Sequence, residues 1–380
     1  MKATLADPSL VRQAGRFVWL ELDYDKPVNQ PFIGRRGVVY TPSIYILDAA
    51  DERATASHMG GLTLAELKAF LDHGERVFRG KATTPADAAL ARADDALGHG
   101  KVEDAAVAYR EAVGLAPKGW SERPRALGSL TWALWMTRQS QAAAETAAAE
   151  APGMARNSAF VSMVLAGFAS SNQGGSAPWA DSTRHVLEPL AEEAVTVMSG
   201  QRDHRYQLYQ QLLHFTQLRG DTAAHKRWGH QWLDEIEAMH PKDDDERSAL
   251  DIARVDAASD IAEPERVIPA LIESEKAMPT SYNTSLRLAQ MEVDANRNDE
   301  ALAAIERGLA HVTGPVGRSW LLSTKGNALY GKGDKAGARA AFEEALTAAK
   351  EIGNESNRAN NLRNIGRAIA TIDKETAQTP

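Results

Sequence analysis

The chain has 380 residues, of which 43% are hydrophobic and 25% are charged. This composition excludes collagen-like and wholly disordered chains, and the length allows two or three domains with a sizeable core. The formal net charge of −8 argues against a general nucleic-acid-binding surface. No apolar stretch reaches the ~20 residues that a membrane span needs. Cysteine is absent, which excludes disulfides, thiol catalysis and cysteine-ligated metals within this chain.

The first elements along the chain have strand and loop signals. Residues 17–22 (FVWLEL) form a short apolar run of strand-type residues and predict a first strand. Residues 24–36 contain Pro27 and Pro31 and predict a loop with a short helical turn.

A hairpin and a helix are predicted next. Residues 43–47 predict a second strand, and residues 53–59 predict its antiparallel return. The aspartates of residues 48–51 suit a tight turn, because their side chains can bond the local backbone. Apolar residues recur at helical spacing over residues 64–78, and Thr63 before them predicts a capping box.

This order of elements over residues 1–80 resembles the second half of a thioredoxin-like domain. The most specific match is the segment GVVYTPSIYILD at residues 37–48. The resemblance implies a cis-proline loop at Thr41 and Pro42. In that family a Cys-x-x-Cys pair and a central strand precede the matched region, and neither is present in this chain. The resemblance therefore implies a partial, redox-inactive α/β domain.

Three hypotheses for the missing central strand stay open. Its two neighbours pair directly, the half-domain is loosely ordered, or Met1 is an internal methionine of a longer chain, which is the hypothesis that we favour. If Met1 is the true start, the absence of a signal peptide predicts a cytoplasmic protein. An upstream start leaves a periplasmic or secreted location open.

A repeated spacing of small residues begins after residue 81. Offsets of 7, 12, 16 and 19 residues separate Ala93 from Gly100, Ala105, Tyr109 and Ala112, and separate Gly326 from Gly333, Ala338, Phe342 and Ala345. This spacing resembles the tetratricopeptide repeat, a helix–turn–helix unit of about 34 residues. Small residues let the two helices approach closely, and glycine suits the turn between them.

The resemblance predicts a mostly α fold. We expect a tetratricopeptide-like α-solenoid of about seven helix pairs over residues 81–373. It follows the partial thioredoxin-like domain of residues 1–80 and precedes a disordered tail over residues 374–380.

The candidate chemical groups favour no catalytic, metal or cofactor site. His225 and His230 lie five residues apart, which places them about 140° apart around a helix. The acidic run at residues 243–246 is interpreted as favourable charge at a helix N-terminus. Tryptophans at helical spacing are interpreted as core residues, and they are Trp132, Trp135, Trp228 and Trp232.

The resemblance to tetratricopeptide arrays implies a protein or peptide partner bound on the inner surface of the array. The predicted groove residues are Trp320, Asn327 and Tyr330. Asn327 matches a position of the family's carboxylate clamp, whereas Ser323 stands where the clamp has lysine, so we do not predict a clamp.

The leading hypothesis is a non-enzymatic interaction scaffold that binds no nucleic acid and does not span a membrane. The alternative is a fragment of a thiol–disulfide oxidoreductase whose Cys-x-x-Cys lies upstream of Met1, with the repeats recruiting client proteins. The sequence indicates neither the identity of the partner nor the oligomeric state.

Overall fold

A computed structural model of the chain describes residues 2–5, 7–13, 15–24, 26–38, 41–81, 84–198 and 202–377. The chain folds into two compact units, Met1–Leu218 and Arg219–Pro380. The predicted domain boundary at residue 80 falls inside the first unit. Within the described ranges, no helix is both long enough and apolar enough to span a membrane.

The first unit combines a two-stranded antiparallel sheet with helices. In chain order its elements are α1 (Lys2–Leu5), α2 (Gln30–Arg36), β1 (Ser43–Leu47), β2 (Ala54–Met59), α3 (Leu64–Phe78), α4 (Pro85–Gly98), α5 (Val102–Leu115), α6 (Arg123–Met136), α7 (Ser140–Glu150), α8 (Ser158–Gln173), α9 (Pro178–Ala194) and α10 (Arg202–Leu218).

The second unit is built from helices. They are α11 (Thr222–Glu237), α12 (Asp244–Asp260), α13 (Ile268–Ala277), α14 (Tyr282–Asp294), α15 (Asn298–His311), α16 (Pro315–Gly331), α17 (Lys335–Lys350) and α18 (Glu355–Ala377).

The β-hairpin and the helix after it form as the sequence predicts. β1 and β2 pair antiparallel. In the turn, the carboxylates of Asp48 and Asp51 each accept a hydrogen bond of 2.9 Å from the backbone N–H two residues further on. Thr63 and Glu66 form the predicted capping box at the start of α3. These elements rest on bonds between near neighbours in sequence, which is why the sequence predicts them.

The strand predicted over residues 17–22 is not formed. Phe17 makes an isolated bridge, and the residues from 18 to 23 have no regular secondary structure. Val18 and Leu20 are 90% and 80% exposed. Val18 and Leu20 thus lack the packing that a strand face requires.

The loop before β1 contains a cis peptide bond between Thr41 and Pro42. The carbonyl of Pro42 accepts a hydrogen bond of 2.8 Å from the backbone N–H of Gly60, which follows β2. Residues 39 and 40, which belong to the segment that resembles thioredoxin-like domains, lie outside the described residues.

The helices from α4 to α10 form the repeat part of the first unit. Each helix contacts the next, α8 also contacts α6 and α10, and α7 contacts α9. Ala93, Ala105 and Ala112 of the first predicted repeat have 0% exposed surface, so they lie where helices meet. Gly100 has a φ of +68° in the turn between α4 and α5, a conformation that favours glycine.

The second unit has the same pattern of contacts. Each helix from α11 to α18 contacts the next, and α14 also contacts α12 and α16. In the clearest predicted repeat, Ala338 and Ala345 are fully buried. A side chain at Gly326 would place its Cβ 2.7 Å from the ring of Phe342, so the close packing of α16 on α17 requires glycine there.

The C-terminal helix is longer than the sequence predicts. The predicted disordered tail begins at residue 374, yet α18 continues to Ala377. Arg339 of α17 donates a hydrogen bond of 2.9 Å to Asp373, and Lys335 lies 3.1 Å from the carboxylate of Glu375. These ion pairs between α17 and the last turns of α18 account for the added helix. Residues 378–380 lie outside the described ranges.

Candidate peptide-binding groove

The packing of α12, α14 and α16 leaves an open groove in the second unit. The cavity within it has a volume of about 300 Å³, and all three helices contribute to its lining. The lining residues are Val255, Ser259, Gln290, Met291, Val293, Asp294, Thr324 and Asn327.

Helical spacing brings these side chains to one surface. Residues three or four positions apart on a helix point to the same side. Gln290 and Asp294 are related in this way on α14, and Thr324 and Asn327 on α16. The contacts of α14 with both neighbouring helices then place the three rows side by side.

The groove wall offers hydrogen bonds together with apolar contacts. The amides of Gln290 and Asn327 each carry a donor and an acceptor, which match the C=O and N–H of an extended peptide. Val255 and Val293 are half-buried and supply apolar surface. Asp294 is the one charged residue in the described lining, and desolvation raises its pKa above the usual value.

The structure places the three predicted groove residues on one helix, α16. Asn327 lines the groove, whereas Trp320 and Tyr330 lie outside the cavity lining. Both are solvent-exposed, at 42% and 38%. The hydroxyl of Tyr330 donates a hydrogen bond of 2.7 Å to Glu375, and this bond raises the pKa of the phenol. Tyr330 is therefore engaged with α18.

The other candidates from the sequence do not assemble with the groove. Thr41 and Pro42 belong to the first unit and are exposed. Within the acidic run, the side chain of Asp243 accepts a hydrogen bond of 2.8 Å from the backbone N–H of Glu246 and caps α12. In the part of the chain that the structure describes, no three histidine or acidic side chains are grouped as metal ligands.

A buried ionic cluster in the first unit was missed by the sequence analysis. It consists of His73, Asp94, Tyr109, Glu122 and Arg125. Arg125 donates two hydrogen bonds, of 3.1 and 3.0 Å, to the Asp94 carboxylate. Tyr109 donates a third, of 2.7 Å, to the same group. The ring nitrogens of His73 lie 3.7 Å from Asp94 and 3.5 Å from Glu122. The cluster therefore joins α3 to α4, α5 and α6.

The electrostatics of the cluster favour the ionised form of Glu122. Burial alone would raise the pKa of Glu122, but the hydrogen bond and charge of His73 outweigh it, together with those of Arg125, and bring the pKa to about 2. Asp94 is fully buried between Leu90 and Leu97 in the apolar stripe of α4. A charged residue within such a stripe is the signal that could have indicated the cluster.

Comparison with protein families matches both units. A family model described as "Tetratricopeptide repeat" matches residues 90–159, and one described as "Tetratricopeptide repeat-like domain" matches residues 196–363. No curated protein matches the chain.

Several solved structures are similar to the chain at low sequence identity. A tetratricopeptide repeat protein from Parabacteroides merdae is 14% identical, with a TM-score of 0.44 over 74% of this chain and 98% of that chain. The TPR2AB domain of yeast Sti1, in a complex with pHSP90, is 16% identical, with a TM-score of 0.30 over 76% and 98% of the two chains. The assembly chaperone of RpL4, Acl4, is 14% identical, with a TM-score of 0.36 over 77% and 99%. The family matches confirm the predicted repeat array: the chain carries tetratricopeptide repeats in both of its compact units.

Proposed function

We propose that the chain is a non-enzymatic scaffold that binds a segment of another protein in the groove between α12, α14 and α16. The observation that carries this proposal is the groove itself, which is open, about 300 Å³ in volume and lined by residues of α12, α14 and α16. Tetratricopeptide repeats are typical of proteins that bind other proteins through such surfaces.

The lining favours an extended segment as the ligand. Its side-chain amides, on Gln290 and Asn327, can pair with the peptide backbone, so binding does not depend on one particular side chain of the partner. The Asp294 carboxylate favours a lysine, an arginine or another donor beside the backbone. Trp320 lies on the same helix seven residues before Asn327, and its exposed ring offers apolar contact to a longer segment.

We also propose that residues 1–80 are a thioredoxin-like half-domain without redox activity. The support is the order of the hairpin and α3 and the match at residues 37–48. Thiol–disulfide exchange needs a thiolate as the attacking group, and the chain has no cysteine. In this proposal the half-domain contributes to packing and to binding, and not to catalysis.

The test compares two arginine substitutions in the full chain. Asn327→Arg places a long cation in the groove, whereas Ala303→Arg places the same side chain at an exposed position on α15. Each variant and the wild type are used as bait in the organism's own extract, and the retained proteins are quantified by mass spectrometry.

We expect Asn327→Arg to lose at least one partner that both the wild type and Ala303→Arg retain. Identical partner sets for all three baits, with folding verified by circular dichroism, would contradict the proposal.

A further inference from the structure

Residues 18–22, which we call the open segment, expose a run of large apolar side chains in the first unit. Val18 and Leu20 are 90% and 80% exposed, and Trp19 and Leu22 are 44% and 41% exposed. Single exposed apolar residues are common on soluble proteins, whereas a contiguous exposed apolar surface marks a site of interaction. The open segment is therefore a candidate binding surface.

The backbone of the open segment is extended and anchored at one end. The rings of Phe17 and Trp19 pack edge to face, with their centroids 6.4 Å apart. Side chains two positions apart lie on the same side of an extended chain, so this contact indicates an extended backbone. Phe17 also packs against an apolar cluster that includes Leu10 and Ile46. The even-numbered side chains of the open segment project to the opposite side, where they stay exposed.

The backbone hydrogen-bonding groups of the open segment are unused. Within the described residues, the N–H and C=O groups of residues 19–22 make no hydrogen bond to another protein group. The chain on either side is held, because Arg16 N–H bonds to the carbonyl of Gln13 at 3.1 Å and the Asn29 amide bonds to the carbonyl of Asp23 at 2.8 Å. An extended chain with free N–H and C=O groups can pair with an added strand.

The charge of the segment and its flanks is negative. Residues 17–24 contain Glu21 and Asp23 and no basic residue. Asp23 lies 3.8 Å from Lys26, whereas Glu21 is exposed and makes no ion pair in the part of the chain that the structure describes. Side chains directly opposite each other on paired strands interact, so opposite charges stabilise the pair and like charges destabilise it. An added strand with lysine or arginine opposite Glu21 is therefore favoured.

A second copy of this chain does not supply that charge. Antiparallel pairing of two copies about Leu20 would place Val18 opposite Leu22, which suits the apolar side chains. The same pairing would place Glu21 opposite Trp19, so no cation would face the carboxylate. A strand of another protein can meet both requirements.

We propose that the open segment binds a β-strand of another protein, in which apolar residues alternate with lysine or arginine. The apolar residues pack beside Val18, Leu20 and Leu22, and a basic side chain faces Glu21. The added strand supplies the backbone hydrogen bonds, so that residues 17–22 form the strand that their sequence predicts. This surface lies in the first unit and does not depend on the groove of the second unit.

The first test is hydrogen–deuterium exchange of the full chain, measured by mass spectrometry with three terminally blocked heptapeptides. KVKVTVT has valines on one side and lysines on the other, EVEVTVT replaces both lysines with glutamate, and KVKPTVT has a central proline that disrupts strand pairing. At about 2 mM peptide, we expect KVKVTVT to slow exchange over residues 18–22 at least about 3-fold, and the other two peptides to slow it less. No slowing by KVKVTVT, or equal slowing by either control peptide, would overturn the proposal.

A charge reversal tests the pairing with Glu21. Glu21→Lys places a cation in the open segment, and Glu306→Lys makes the same change in net charge at an exposed position on α15. We expect Glu21→Lys to lower the ratio of the affinities for KVKVTVT and EVEVTVT at least about 3-fold, and Glu306→Lys to keep the wild-type ratio. Fluorescence anisotropy of the labelled peptides measures both affinities. A folded Glu21→Lys variant with the wild-type ratio would contradict the proposal.

A truncation tests the apolar contact. Leu20→Ser removes an exposed apolar side chain from the open segment, and Val107→Ser removes one from α5, where Val107 is 63% exposed. We expect Leu20→Ser to weaken KVKVTVT binding at least about 3-fold and Val107→Ser to leave it unchanged. Equal affinities of the two variants would count against the open segment as the binding surface.

Analytical ultracentrifugation of the full chain tests whether a second copy occupies the open segment instead. We expect the wild type and Leu20→Ser to have the same association state, because the proposed ligand is another protein. A wild-type dimer that Leu20→Ser dissociates would show that the open segment pairs with itself, and would overturn the proposal.

Discussion

At the scale of single residues, each unit contains buried ionisable side chains, but their surroundings have opposite effects on ionisation. In the ionic cluster of the first unit, the carboxylates of Asp94 and Glu122 are both paired with Arg125. In the second unit, Glu292 of α14 is 3% exposed, and its Oε2 has no hydrogen-bond partner in the described residues. The guanidinium of Arg297 lies 3.9 Å from the other carboxylate oxygen. The first arrangement favours the ionised form of Glu122, and the second opposes the ionisation of Glu292.

Glu292→Gln should stabilise the protein at high pH. Burial raises the pKa of Glu292 to about 7 from its usual 4.5. Between pH 4.5 and pH 7, the folded chain therefore keeps a proton that the unfolded chain releases. The contribution of Glu292 to the free energy of unfolding is therefore lost as pH rises from about 4.5 to 7. Glutamine carries no such proton, and we expect a gain of about 1–3 kcal/mol above pH 7 and little change below pH 4.5.

Urea unfolding at pH 4.5 and pH 8 measures this effect. Glu306→Gln, at an exposed position on α15, serves as the control and should leave the pH dependence unchanged. A Glu292→Gln variant that is less stable than wild type at pH 8 would show that the ionised carboxylate is favourable.

Asp94→Asn should destabilise the first unit. The substitution keeps the shape of the side chain but leaves Arg125 without the carboxylate that accepts two of its hydrogen bonds. Breaking a buried ion pair costs about 3–5 kcal/mol. Glu111→Gln disrupts an exposed pair with Arg92 and should cost less than about 1 kcal/mol. Denaturant unfolding compares the two variants, and similar losses would mean that the ionic cluster contributes little stability.

At the scale of elements, small residues set how closely the helices pack. Gly167 of α8 faces α7, and a Cβ built at this position lies 2.2 Å from the Cβ of Ala147. A methyl group there would force the two helices apart. The alanines at the repeat positions Ala93 and Ala105 act in the same way, because each is fully buried where helices meet.

Gly167→Ala should therefore lower the melting temperature of the protein, with a cost of about 1–3 kcal/mol from overpacking. Gly128→Ala is the matched control in a helix of the same unit, where the added methyl meets no atom within 4 Å. It should raise stability by about 0.5–1 kcal/mol, because alanine favours helix over glycine. Differential scanning calorimetry distinguishes the two, and a stabilising Gly167→Ala would refute the packing argument.

Elements fixed by near neighbours were predictable from the sequence, and those fixed by distant partners were not. The capping box of α3 depends on Thr63 and Glu66, three residues apart, and its bounds were predicted correctly. Residues 17–22 have strand-type side chains, yet a strand also needs a neighbouring strand, which the local pattern cannot indicate. The end of α18 depends on Arg339 of α17, 34 residues before Asp373.

The groove, the ionic cluster and a cavity in the first unit show the same limit of prediction from sequence. The repeat pattern predicted that Asn327 and Tyr330 face the groove, and of these two residues Asn327 lines the cavity whereas Tyr330 does not. The ionic cluster joins Asp94 to Arg125, 31 residues away, and the cavity of the first unit is lined by both His58 and His204. Neither pair has a local spacing signal, because Asp94 and Arg125 lie on different helices, and His58 and His204 lie on elements that are far apart in the sequence.

At the scale of the whole molecule, each unit carries its own cavity. The cavity of the first unit is partly open, and its wall includes the aromatic rings of Phe70 and Trp132 together with the imidazoles of His58 and His204. The groove of the second unit is open, and its lining is made of amides, small side chains and one carboxylate. A single chain thus contains two cavities whose linings differ in chemistry.

The central claim is that the groove of the second unit binds a segment of another protein. The most direct measurement places the photo-crosslinking residue p-benzoylphenylalanine at position 327 of the full chain in its own cells, with position 303 on α15 as the control. Our account predicts a crosslink from position 327 to a discrete peptide segment of a partner, identified by mass spectrometry, and none to that segment from position 303. Crosslinks to the same partner from position 303 but not from position 327 would contradict it.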